Sequence, residues 1–79
     1  MSNRERYTQA FVNCFSVAPE VLNEAFVYQC VPTWDSVGHM TLIAALEEAF
    51  EIQMEMDDII DLSSFTKGIE TLGKYGVVV

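Results

Sequence analysis

The sequence predicts a small all-α fold: a four-helix bundle of three longer helices and one short third helix. Three observations lead there. Apolar residues recur on a 3.6-residue period in three separate segments. Each of these segments is preceded by a serine or aspartate that suits a helix start. A fourth segment, Asp57 to Asp61, has room for one short turn of helix. At 79 residues the chain fits one domain, residues 1–79. A domain of that size buries only a little over ~60% of its unfolded surface, which argues against a deep cleft with its own catalytic machinery. Apolar helix faces closing on a single core then give a bundle.

The first helix is expected over Asn3 to Phe15. Tyr7, Ala10, Phe11, Cys14 and Phe15 form one stripe, and Ser2 and Glu5 have capping-box spacing, with Asn3 a rival cap. Ser16 to Pro32 is a connection in which Pro19 is expected to open a short helix with Val21, Leu22, Ala25 and Phe26 on one side. Its later residues, Val27, Tyr28, Cys30 and Val31, are too apolar to hang free, so the connection should lie against the body of the protein. Asp35 is a good N-cap for a second helix from Ser36 to about Glu51, with His39, Leu42, Ile43, Leu46 and Phe50 facing inward. Val37, Met40, Ala44, Glu47, Glu48 and Glu51 fall toward its other side, a soft apolar stripe beside a row of carboxylates. In the short third helix either Ile59 or Ile60 turns inward. Ser63 and Ser64 can cap a last helix from Phe65 to about Lys74, with Phe65, Ile69 and Leu72 as its stripe and Gly73 and Gly76 marking its end. Val77 to Val79 either pack or fray.

The four basic and twelve acidic residues give a formal charge of −8, and residues 7–66 contain no Lys or Arg. Such a surface repels a phosphate backbone, which excludes nucleic acid as a partner, and attracts a basic protein. The acids serve solubility or form a docking face. No apolar run reaches the ~20 residues that span a bilayer, and the N-terminus lacks a secretory pattern. The two cysteines, Cys14 and Cys30, sit in apolar stretches. Their spacing permits a bridge, but reduced thiols in a cytoplasmic protein are the simpler reading. No feature demands more than a monomer.

Candidate chemistry is sparse. Ser36 and His39 share a helix side, yet Asp35 is better used as a cap, and the glycine-flanked elbow of a hydrolase serine is missing. His39 reads as a satisfied histidine at the core edge. No frame through Asp57 or Asp61 supplies a calcium loop, and one histidine with two separated cysteines gives no zinc spacing. Neither catalytic residues nor a metal site is therefore expected, and the chain reads as non-enzymatic. Trp34 reads as a ring packed over the loop before the second helix. Met40, Met54 and Met56 suit an adaptable surface, though loop packing explains Met54 and Met56 equally well. Ser36 stands apart. In the first turn of a helix, amides point outward and the dipole favours negative charge. A phosphodiester on its Oγ would be welcome there. The plain alternative is an unmodified N-terminal serine.

The stretch Trp34-Asp35-Ser36-Val37-Gly38-His39-Met40, followed by Leu42-Ile43-Ala44-Ala45-Leu46-Glu47-Glu48-Ala49-Phe50, resembles the acyl and peptidyl carrier proteins, in particular their discrete members. Val37 stands where the family usually has leucine, and Thr41 where an acid is common. The resemblance implies an acyl-carrier-like bundle with 4'-phosphopantetheine attached covalently to Ser36. A phosphopantetheinyl transferase, with Mg²⁺, would transfer the arm from coenzyme A. Asp35 would cap the helix and orient Ser36. Val37, Met40 and Ala44 would contact partners, and Glu47 and Glu48 would meet their basic residues. Acyl or aminoacyl groups would ride as thioesters between loading and biosynthetic enzymes of fatty-acid, polyketide or nonribosomal-peptide type. Ile59 and Ile60 would border a shelter for an acyl chain. The competing reading is a non-enzymatic helical interaction module with an acidic docking face and no prosthetic group.

Overall fold

In a computed structural model describing residues 2–79, four helices pack in the order α1 (Asn3–Phe15), α2 (Ser36–Phe50), α3 (Met56–Asp61) and α4 (Phe65–Gly73). No strand occurs among the described residues. The helix ends follow their caps. At α1 the Ser2 Oγ accepts from the Glu5 amide at 3.1 Å while the Glu5 carboxylate reaches back to the Ser2 amide, so Ser2 is the cap rather than Asn3. Asp35 and Ser64 cap α2 and α4 by accepting from the Gly38 and Lys67 amides, at 2.8 and 2.9 Å. Glu51 closes α2 one residue sooner than expected by taking a left-handed conformation at φ 52°. At α3 the N-cap residue, Glu55, makes no capping bond with its own side chain.

The core is aromatic and centres on Phe11. Its ring lies 5.0 to 6.1 Å, centroid to centroid, from those of Tyr7, Phe15, Phe26, Trp34 and Phe65. Phe15 and Phe26 both stack on Trp34. Leu42, Ile43 and Leu46 from α2, Leu72 from α4, and Met54, Leu62 and Val77 outside the helices pack around it. Tyr7 reaches across from α1 and donates to the Phe65 carbonyl at 2.6 Å, and burial pushes its hydroxyl well above the usual phenol range. The two ends of the chain also meet: Asn3 Nδ2 donates to the Val78 carbonyl at 3.0 Å. Val77 packs into the core, whereas Val78 is exposed.

The connection between α1 and α2 departs from expectation. Pro19 opens only a 3₁₀ turn, Pro19–Val21, and the anticipated helical face does not form: Val21 and Ala25 are exposed, Leu22 is half-buried and only Phe26 is buried. Two local bonds stop the helix. The Leu22 amide bonds back to Pro19, and the Asn23 side chain accepts from the Ala25 amide at 2.8 Å, turning the chain outward. The segment is then stitched to the start of α4. Val27 bridges Ser64, the Tyr28 amide donates to Ser63, and the Phe65 amide donates to Phe26. Phe26, Tyr28 and Val31 lie against the body as expected, but Val27 and Cys30 do not. Cys30 is thus an exposed thiol although the run around it is apolar, while Cys14 is half-buried, and neither is bridged.

Candidate functional site

The start of α2 is set by packing behind it. Trp34 is fully buried, and its Nε1 donates to His39 Nδ1 at 3.0 Å. That bond leaves His39 Nε2 carrying the proton, which it donates to the Ile59 carbonyl at 2.7 Å. The imidazole therefore ties the turn before α2 to α3. Both of its nitrogens are engaged away from Ser36, and the Asp35 carboxylate is engaged as a cap. The residues of a hydrolytic triad are present in sequence but are not arranged as one. Among the described residues no group of three or more His, Cys, Asp or Glu converges as a metal would need.

Gly38 lets this turn close. A Cβ at that position would stand 1.9 Å from the Thr33 carbonyl oxygen, and Thr33 is itself fastened to the end of α1 through its hydroxyl. Replacing Gly38 with alanine is expected to destabilise the protein by about 1–3 kcal/mol. The same change at Gly73, where nothing lies within 4 Å, should be neutral or stabilising by up to ~1 kcal/mol. Urea unfolding of the two variants side by side checks this.

Ser36, the first residue of α2, is exposed. Its Oγ lies 3.4 Å from the Tyr28 hydroxyl, a long hydrogen bond. Both residues stand at the edge of a groove of about 400 Å³. Its walls are Met40 from α2, Met56, Ile59 and Ile60 from α3, and Leu62 beyond it. Ile59 is the inward residue of the pair raised by the sequence, and Ile60 is 69% exposed. Tyr28, Leu62 and Ser63 are not legible in the sequence as residues that share a groove with Ser36. They arrive there through the stitching of residues 26–28 to residues 63–65, a pairing with no local signature.

Val37, Met40 and Ala44 are exposed along one side of α2, with Val37 at 76%. Met56 and Ile60 continue the exposed apolar residues onto α3. The carboxylates divide. Glu48 is exposed, whereas Glu47 is half-buried and accepts from the Met54 amide at 2.8 Å, holding the α2–α3 connection. No described helix is long and apolar enough to cross a membrane. What the fold and site define is a small helical bundle with an exposed apolar side and a reachable serine at a helix start. Set beside protein-family models, curated proteins and solved structures, the chain matches none.

Proposed function

We propose that this protein is a non-enzymatic docking module, and that its docking serves a carrier role centred on Ser36. The docking reading rests on the exposed apolar residues Val37, Met40, Met56 and Ile60, which lie close in sequence to Glu48, Asp57 and Asp61. Such a surface suits basic partners that bind and leave quickly, because charges at an interface rim act mainly on encounter rate and partner choice.

One observation supports the finer reading: the Ser36 hydroxyl is exposed in the first turn of α2, at the edge of an apolar groove. The residues fit a 4'-phosphopantetheine ester. Its phosphate would meet the positive end of the helix and the Tyr28 hydroxyl, and Ser36 Oγ would hold it covalently. Attachment would form one Ser36 Oγ–P bond and break the pyrophosphate P–O bond of coenzyme A, adenosine 3',5'-bisphosphate leaving and the serine proton passing to a base of the transferase, and the bound arm would supply a thiol for thioesters. Asp35 holds the turn that presents Ser36, and Val37, Met40, Ala44 and Glu48 would form the partner face, with Glu47 beside them held by its bond to the Met54 amide. The groove would take the start of an acyl tail. Partners would then be a phosphopantetheinyl transferase and loading or biosynthetic enzymes, acting on residues 1–79 as one carrier domain in the cytoplasm.

Incubation with a phosphopantetheinyl transferase, coenzyme A and Mg²⁺ tests the carrier reading. The intact chain is expected to gain the mass of one phosphopantetheine group. An unchanged mass with several transferases of differing specificity would refute it and leave the docking module without a prosthetic group.

A further inference from the structure

Helix α3 is the least secured element of the bundle. It has six residues, none fully buried, and its N-cap residue Glu55 makes no capping bond with its own side chain. It nonetheless forms one wall of the groove through Met56, Ile59 and Ile60. Its beginning is held by a side chain from beyond α4. The Tyr75 hydroxyl accepts from the Glu55 amide at 2.9 Å and donates to the Asp58 carboxylate. Lys74 Nζ pairs with the other Asp58 oxygen at 3.0 Å. Glu55 is the N-cap and Asp58 the third helical residue, so in a capping box Asp58 would bond the Glu55 amide directly. Here the tyrosine hydroxyl is interposed between them.

Two further features fit this cluster to a mechanical role. The Asp58 side chain is only 15% exposed, and hydrogen bonds from Tyr75 and Lys74 hold its carboxyl below the usual carboxylate range, so the cluster favours the ionised form. Toward the other end of α3, the His39 imidazole pins the Ile59 carbonyl, and Leu62 is fully buried just beyond the helix. The start of α3 is thus tied to the residues after α4 through the Tyr75 hydroxyl and the Lys74–Asp58 pair, and its far end is anchored in the core.

We propose that Tyr75, Asp58 and Lys74 form a latch that holds the Met56 end of α3 closed, and that releasing it widens the groove to an apolar chain. The latch stands whether or not Ser36 carries a group, because it depends only on the contacts between α3 and the residues following α4.

Tyr75→Phe keeps the ring and removes the hydroxyl, and amide hydrogen exchange on the full chain reads the result. The Asp58 and Ile59 amides, which both donate to the Glu55 carbonyl, should exchange roughly two- to tenfold faster, as expected for one lost hydrogen bond, while the Leu62 amide at the anchored end changes less. Amides of α1 and the middle of α2 should keep their rates. Binding of Nile red, a neutral apolar dye, should speed up by a similar factor in the variant. Asp58→Asn, which retains an acceptor for Tyr75 but loses the Lys74 pair, should show a smaller effect than Tyr75→Phe. Unchanged exchange in α3, equal acceleration throughout the chain, or dye binding that is absent or no faster in Tyr75→Phe would each overturn the latch.

Discussion

Ser36→Ala is expected to abolish attachment of the phosphopantetheine group while leaving the bundle intact. The hydroxyl is the only atom lost. It is exposed, and its contact with Tyr28 is long. Alanine is a good residue for the first turn of a helix, and Asp35 continues to cap Gly38. The change in stability should stay within about 0.5 kcal/mol. Circular dichroism and thermal unfolding should overlay those of the wild type, while intact mass after incubation with transferase and coenzyme A stays at the unmodified value. Continued modification of the variant would move the attachment point elsewhere in the chain. Loss of modification together with loss of helix would make Ser36 a structural residue and remove the support for its carrier role.

The second large effect is Phe11→Ala. Phe11 is fully buried and touches five aromatic rings contributed by α1, the α1–α2 connection and α4. Truncating a core phenylalanine costs about 3–5 kcal/mol, from lost burial and from the cavity left behind. A domain of this kind has only roughly 5–15 kcal/mol in all. The variant should therefore lose about a fifth of its stability or more in denaturant unfolding. Phe11→Leu refills much of the space and should fall between the two. A Phe11→Ala midpoint close to that of the wild type would show that the aromatic cluster collapses around the gap and that stability resides elsewhere.

The legible parts of this molecule are those whose signals are local. The Ser2–Glu5 box, the Asp35 cap and the Ser64 cap are readable because partners three residues apart determine them. The stripes through Phe11 and Leu46 are readable because a helix repeats its faces. The α1–α2 connection is not, since its order comes from pairing Val27 with Ser64, far along the chain. The misjudged exposure of Cys30 follows from the same cause: an apolar run predicts burial, but the bridge decides which residues in it face inward. At the candidate site, Ser36 is marked by its position after a cap. Tyr28 is not marked, because no periodicity relates it to the residue it touches. Tyr75 is equally silent, being past the last stripe and acting on α3 rather than on its own helix. Glu47 carries a trace of both kinds of information: its place on α2 suggests a solvent-facing acid, while its bond to Met54 depends on how the following loop returns.

The contact between Asn3 and Val78 has an engineering consequence. Because the beginning of α1 and the last residues lie side by side, a linker of a few residues could close the backbone into a ring without crossing the groove. New ends could then be opened at the solvent-facing turn around Asn23 and Glu24, giving a circular permutant whose helices and Ser36 keep their places.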